Sequence, residues 1–392
     1  MSAGIDASTP RSCEVDRLGG MRVLFAAGGT GGHIYPAVAI ADALAAFADI
    51  RFVGSADRLE QSIVPAAGYR LETISSRPLP RTSPLAIPAA AAANLTGIVQ
   101  AARILLRVRP DLIIATGGYV CFPVMAAAAL LRAVRLLRCR LVLFEPNAEP
   151  GLTNKMLAPL VDEVWGAFEN PRRRLGKTYI RTGIPVRAAL KHHVDRAAAA
   201  GRLRLDPSGF TIVVVGGSQG ARSINAAVDA LVKTQKLPPG WQILHITGSR
   251  DFAQTRTRAG APSDKNRIVV LSYLSDMADA YALADVVVAR AGASTLGELA
   301  ATGVPSILIP YPFATGDHQL QNARAFQAAG AALVIEDAKL DDSVLWTALQ
   351  QVAQPARLAA MRGAARSLGT GDPLERILAR IETLIPRKNV RA

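Results

Sequence analysis

His33 closes the run Gly28-Gly29-Thr30-Gly31-Gly32-His33, which follows the β-branched and apolar stretch Arg22 to Ala27. A strand feeding a glycine turn and then a helix aims backbone N–H groups and the positive helix end at a ligand above the sheet edge, so anions are favoured there. His33 stands where it would act as a base or hold a phosphate, although a lone histidine is more often a helix-end hydrogen bonder. The run does not match G-x-G-x-x-G, because Ile34 falls on the last glycine position, and it lacks the lysine of a triphosphate P-loop. Gly176-Lys177-Thr178 has the ending of a P-loop, but Pro171 occupies its first glycine position and no strand precedes it.

The same arrangement recurs at Gly216 to Ala221, after the stretch Phe210 to Val215, where the Ser218 hydroxyl would add to the helix-end amides around a phosphate or diphosphate. A single such loop is equally well a tight βα turn in which glycine only permits unusual backbone angles. Two of them point to substrates entering one cleft from both sides. A third strand-to-helix passage, Arg290 to Glu298, offers Ser294 and Thr295 as first-turn caps. Glu298 there is either a carboxylate for two ribose hydroxyls or an ordinary acid near a helix start. The segment Gly316 to Ala323 gathers Asp317, His318, Gln319 and Asn322, which suit sugar hydroxyls or cap a helix.

The elements that must position these residues follow from the alternation of short β-branched runs with longer Ala- and Leu-rich stretches, the pattern of βα units on a parallel sheet. Strands are expected at 22–27, 50–53, 112–115, 141–144 and 163–165, with a helix over 35–48. A second set is expected at 210–215, 243–246, 268–271, 286–289 and 306–309. With 392 residues, two domains are the natural division. The reading is a tail over 1–20 expected to be disordered, a first domain over 21–187, a second over 188–371, and a terminal helix in 372–392. Thr182 to Pro207 is the expected linker. The helix Pro373 to Leu384 either closes the second domain or returns to the first.

Half of the residues are hydrophobic and 19% are charged, which describes a globular chain. The three cysteines, Cys13, Cys121 and Cys139, form no C-x-x-C pair, and His192, His193 and His245 have no ligand spacing. No metal site is expected, and any magnesium dependence would come through a substrate diphosphate. The first twenty residues contain no apolar signal-peptide core, and apolar runs such as Val124 to Leu131 stop short of the roughly 20 residues that span a bilayer. No segment is therefore expected to cross a membrane. The net charge of +14 demands an anionic partner without choosing it. Nucleic acid is disfavoured, because aromatic residues are only 5% and no binding module is recognisable.

Taken in order, GGTGGHIYP (28–36), ATGGYVCFP (115–123), EPNAEPGLTNK (145–155), TGIPVR (182–187), GGSQGA (216–221), ARAGASTLGE (289–298) and DHQLQNA (317–323) resemble the MurG family of UDP-N-acetylglucosamine transferases. The resemblance runs through nearly everything from Met21 onward. It implies an α/β fold of the GT-B type, two Rossmann-like doubly wound parallel-sheet domains facing across a cleft. It also implies inverting transfer of N-acetylglucosamine from UDP-N-acetylglucosamine to undecaprenyl-linked lipid I, forming lipid II for peptidoglycan.

Carried over residue by residue, the resemblance implies that Thr30, Gly31 and Gly32 approach the diphosphate and donor sugar, that Asn147 and Gln319 bind the N-acetylglucosamine hydroxyls, and that Ser218 holds phosphate. Arg187 and Leu274 would border the uracil. Ala293, Ser294, Thr295, Leu296 and Gly297 would supply helix-end contacts, and Glu298 would take the ribose. His33 is the first choice for activating the acceptor hydroxyl and Glu145 the second. Phe144-Glu145-Pro146-Asn147 stands in place of a His-Glu-Gln-Asn type run, and Ile184 in place of an asparagine before Pro185. The alternatives are another GT-B enzyme, such as a diacylglycerol glycosyltransferase or a sugar-nucleotide epimerase, and, from a different class, a nucleic-acid-binding protein.

A lipid-linked acceptor implies docking at the cytoplasmic face of the plasma membrane. The means are Arg77, Arg81, Arg103, Arg107, Arg109, Arg132, Arg135, Arg138 and Arg140, against the single acid Asp111. They interleave with Ile104 to Leu106 and with Leu130, Leu131, Val134, Leu136 and Leu137 on an expected helix.

Overall fold

The computed structural model describes residues 20–78, 84–176, 178–187, 190, 194–217, 220–234, 237–259, 267–369 and 371–385. The expected tail over 1–19, Arg81, His192, His193 and Ser218 lie outside them.

Two parallel sheets form two domains. The first has seven strands, β1 (Met21–Ala27), β2 (Ala48–Gly54), β3 (Arg70–Thr73), β4 (Leu112–Gly117), β5 (Arg140–Glu145), β6 (Glu163–Gly166) and β7 (Tyr179–Arg181), in the order β3-β2-β1-β4-β5-β6-β7. The second has six, β8 (Phe210–Val215), β9 (Trp241–Ile246), β10 (Ile268–Leu271), β11 (Val286–Ala289), β12 (Ser306–Leu308) and β13 (Ala332–Val334), in the order β10-β9-β8-β11-β12-β13. Each order reverses beside its first strand, between β1 and β4 and between β8 and β11. Open α/β sheets bind ligands above the strand ends at that reversal.

The central strands are apolar on both faces because helices cover both sides. Val23, Leu24, Phe25 and Ala26 are all completely buried. Two apolar clusters sandwich each sheet. The helix Pro373–Leu384 places Leu374, Ile377 and Ile381 in the cluster with β1 and the helix Gly31–Leu44, so it returns to the first domain. Its Arg380 pairs with the buried Glu163, and Arg140 Nε donates to the Leu384 carbonyl at 3.0 Å.

Three expectations are corrected. The linker is shorter than Thr182 to Pro207, because the helix Arg196–Leu203 inside that stretch buries Ala199, Ala200 and Leu203 in the second core. The first helix spans Gly31–Leu44, not 35–48: Gly31 and Gly32 already lie in its first turn, and Ala48 begins β2. The helix Ile87–Val108, 22 residues, is long and apolar enough by length and composition to cross a membrane. It nevertheless packs Ala101, Ile104, Leu105 and Val108 into the core of the first domain.

Candidate functional site

β1 ends at Ala27, and Gly28 to Thr30 carry the chain to an N-cap at Thr30 in extended conformation (φ −131°, ψ 156°). Gly31, Gly32 and His33 therefore form the first helical turn; the His33 amide donates to the Thr30 carbonyl at 3.0 Å, and the Gly31 and Gly32 amides are the helix-end donors suited to an anion. The half-buried His33 donates from Nδ1 to the Gly28 carbonyl at 3.2 Å, with Thr30 Oγ1 at 3.4 Å from the same nitrogen. A carbonyl only accepts, so the proton of the neutral ring sits on Nδ1 and Nε2 keeps its lone pair. Burial holds the His33 pKa below the usual imidazole value, against the bond to Gly28, which raises it; His318 across the cleft lowers it further, and Glu60 raises it. The ring rests against Gly117, where a Cβ would stand 2.5 Å from His33 Cδ2 and 2.8 Å from Nε2.

Glu60 was not foreseen. It begins the helix Glu60–Ala66 yet is completely buried, accepting from Gly29 N at 3.1 Å and Ser55 N at 2.8 Å. Its only sequence signal is an acid in a βα unit beside the glycine loop, and nothing in the spacing says that it turns inward.

Glu145, the second candidate base, is occupied otherwise. Its carboxylate is buried and accepts from Asn147 N at 3.0 Å, Asn147 Nδ2 at 3.1 Å, Gly151 N at 3.0 Å and Asn154 Nδ2 at 2.9 Å. Burial raises its pKa and the four donors oppose that. Such a carboxylate folds the loop 145–151 and has no lone pair to spare for an acceptor hydroxyl.

That loop reaches the second domain. Asn147 Oδ1 accepts from Asn322 Nδ2 at 3.1 Å, and Ala148 N donates to Asn322 Oδ1 at 2.7 Å. Asn322 Nδ2 also donates to the Ala291 carbonyl at 3.2 Å, just before the helix Ala293–Thr302. Asn322, completely buried, thus ties the Glu145 loop to the second domain. Gln319, one helical turn away, accepts from Tyr311 N at 3.0 Å.

The helix Ala293–Thr302 opens at Gly292 and presents its first turn, Ala293 to Leu296, at the β11 end of the cleft. Ser294 Oγ is buried there with no hydrogen-bond partner among the described residues. Gly297 meets the connection between the domains so closely that a Cβ would lie 2.7 Å from Ile184. Glu298 accepts from the buried Tyr281 hydroxyl at 2.7 Å. Burial raises its pKa, while that bond and the Arg187 charge lower it. Arg187 donates to the Ser275 carbonyl at 3.2 Å and lies 5.5 Å from the Tyr35 ring centroid, so it bridges the two domains. Leu274 packs at the rim of the same core.

Arg290, within the motif 289–298, braces this floor. It donates to the Ile309 and Pro310 carbonyls at 3.1 and 3.3 Å and to Ser223 Oγ at 2.9 Å, and pairs with Asp337.

A cavity of about 320 Å³ lies elsewhere, along β13 and the helix Asp342–Val352. Its lining, including Gln327, Ser343, Thr347 and Gln351, has no titratable group. The candidate site lies instead between the domains, where the helices that begin at Gly31 and Ala293 pack together and carry His33 and Glu298.

Two parallel sheets of this order define a fold of two Rossmann-like domains of the GT-B type. Residues 23–165 match the glycosyltransferase family 28 N-terminal domain and residues 211–375 its C-terminal domain. The chain belongs to that family. Within it, the chain is 39% identical over 91% of its length to the UDP-N-acetylglucosamine--N-acetylmuramyl-(pentapeptide) pyrophosphoryl-undecaprenol N-acetylglucosamine transferase of Desulfitobacterium hafniense (strain Y51), covering 98% of that protein. It is 40% identical over 93% of its length to the protein of the same name from Desulforudis audaxviator, again covering 98%. The crystal structure of Acinetobacter baumannii MurG superposes with a TM-score of 0.74 at 26% identity, covering 93% of this chain and 99% of that one.

Proposed function

We propose that this chain transfers N-acetylglucosamine from UDP-N-acetylglucosamine to the 4-hydroxyl of the muramoyl sugar of lipid I, giving lipid II and UDP. The observation that carries the reading is the bond between His33 Nδ1 and the Gly28 carbonyl at the first glycine loop, which leaves Nε2 open, in a chain that matches its relative over 91% of its length. Glu298 takes the ribose hydroxyls, Arg187 and Leu274 flank the base, and the first turns at Gly31 and Ala293 neutralise the diphosphate. Nε2 removes the acceptor proton as the hydroxyl oxygen bonds to the anomeric carbon from the face opposite UDP. The sugar–phosphate bond breaks with its electron pair going to UDP, so the anomeric centre inverts. Asn147 and Gln319 take the sugar hydroxyls, Asn147 exchanging its bond to Asn322 for one of them.

The acceptor brings the first domain to the cytoplasmic membrane face. Leu95, Val99 and Leu106 on one helix, Leu130, Val134 and Leu136 at the end of the next, and Leu152, Met156 and Leu160 beyond them are all exposed. Arg103, Arg109, Arg135 and Arg138 are exposed among them. The structure revises two details of the sequence expectation. The helix Cys121–Ala133 ends before Arg135, which is left-handed (φ 59°), so Leu131 and Leu137 turn into the core. Arg132 and Arg140 both bind Asp162, at 2.8 and 3.2 Å, and serve the fold.

The assay is labelled UDP-N-acetylglucosamine with a lipid I analogue, and separately with diacylglycerol. Transfer to the lipid I analogue alone is expected, and transfer only to diacylglycerol would overturn the reading.

A further inference from the structure

The Gly28–Gly29 peptide is held at both ends. Its N–H, on Gly29, donates downward to Glu60 Oε2 at 3.1 Å, and its carbonyl, on Gly28, accepts from His33 Nδ1 at 3.2 Å. A trans peptide is rigid and points its N–H and C=O in opposite directions, so fixing one end aims the other. Glu60 cannot easily turn away: it is completely buried, its second oxygen accepts from Ser55 N at 2.8 Å, and its Cγ would lie 2.6 Å from a Cβ at Gly54. Nor can the carbonyl swing, since Gly118 backs it so closely that a Cβ there would stand 2.1 Å from the Gly28 oxygen. Gly118 holds φ of 89°, a region that favours glycine.

We propose that Glu60 is a positioning residue for the transfer, acting on His33 through the Gly28–Gly29 peptide: it holds the Gly28 carbonyl against Nδ1, which fixes the ring's tautomer and leaves Nε2 free to take the acceptor proton. The inference rests on the assignment of His33 as that base. A carboxylate that orients a catalytic imidazole by direct contact is a common arrangement, and it works by holding the tautomer and favouring the imidazolium that forms. Here a peptide unit stands between the two groups. The Glu60 charge beneath the loop favours the imidazolium, and His318, facing His33 from the second domain, opposes it. The same bond diverts the Gly29 amide beneath the loop, leaving the anion-binding role to Gly31 and Gly32.

The test uses the full chain, uniformly ¹⁵N-labelled at histidine, with wild type, Glu60→Gln and Glu60→Asp. Wild type is expected to show His33 protonated at Nδ1 near neutral pH, and the proposal is overturned at once if it shows the Nε2–H form. Glu60→Gln, which keeps the shape and loses the charge, is expected to lower kcat by about 10- to 100-fold, on the scale of other supporting-shell losses. It should also move the acid limb of kcat/KM, measured with a soluble acceptor, to lower pH while UDP affinity stays within a few fold. Glu60→Asp keeps the charge and should restore the acid limb toward its wild-type position, which a purely structural role does not predict. His33→Ala separates the two layers. If it retains turnover, the base assignment fails and the relay with it. If His33→Ala is inactive while Glu60→Gln keeps wild-type turnover, tautomer and acid limb, only the relay is refuted. Should Glu60→Gln fail to fold, the wild-type tautomer and the Glu60→Asp profile decide.

Discussion

The two glycine loops each join a strand to a helix and differ in what lies beneath them. Under the first, a buried carboxylate takes the Gly29 amide, and the loop's histidine leans on the Gly28 carbonyl. The second closes on its own backbone, Gly220 donating to the Gly217 carbonyl at 2.9 Å, and rests on the Thr247 carbonyl, 2.2 Å from where a Gly220 Cβ would be. Asn225, on the helix that follows, donates to that same carbonyl at 3.0 Å and lies 2.9 Å from the buried His245 Nε2. The passage from strand through glycine loop to helix thus rests on a buried carboxylate in the first domain and on Asn225 and His245 in the second. Strand order and glycine placement make the cradle, and the buried polar residues below it set its chemistry.

The largest expected effect would break the comparison on the acceptor side. His33→Ala should reduce turnover by about 10²- to 10⁴-fold, the usual worth of a positioned base, read as kcat with saturating donor and acceptor. Gly117→Ala should cost roughly 10²-fold in kcat, since its Cβ would enter the space beside His33 Nε2 and displace the ring. It leaves the donor side untouched, so a raised donor KM with normal kcat would mean that Gly117 serves the sugar nucleotide instead.

On the donor side, Glu298→Gln should cost about 1.5 to 3 kcal/mol in donor binding, the scale of hydrogen bonds to a charged group, and appear as a raised donor KM. Because burial raises the Glu298 pKa, acid should weaken wild-type donor binding above the usual carboxylate range, and the Gln variant should lose that dependence. A donor KM that rises with acid equally in both proteins would remove Glu298 from the ribose.

The smallest effect sharpens the contrast in stability. Burial lowers the His245 pKa from 6.5 to about 4. The unfolded chain takes up this proton as pH falls below 6.5 and the folded chain only near 4, so stability is lost across that window and levels off below it. Its size is on the order of 3 kcal/mol. Thermal unfolding between pH 7 and 4 of wild type and His245→Gln should show the variant with a shallower decline; parallel declines would assign the acid sensitivity to other groups.

The sequence made the central strands legible because they are continuous apolar runs, as in Arg22 to Ala27 and Phe210 to Val215. It hid β3, β7 and β13, which are three or four residues long and sit at sheet edges. Leu374, Ile377 and Ile381 announced a helix by their spacing, but periodicity cannot say which core a helix joins. The glycine loops and Glu298 could be found because local residue types carry their chemistry. Glu60 could not, since its role depends on a burial that only the packed β2 and first loop create. The surroundings of Glu145 were hidden for the same reason: its four donors come together only when the loop 145–151 folds around it.

The division of labour is tested most directly by calorimetric titration of UDP into His33→Ala beside wild type. If the first loop handles the acceptor proton and the facing domain holds the nucleotide, the two dissociation constants agree within a few fold although turnover is lost. A UDP affinity that falls in proportion to turnover would contradict the account, because His33 would then be a phosphate ligand and the two loops would share one task.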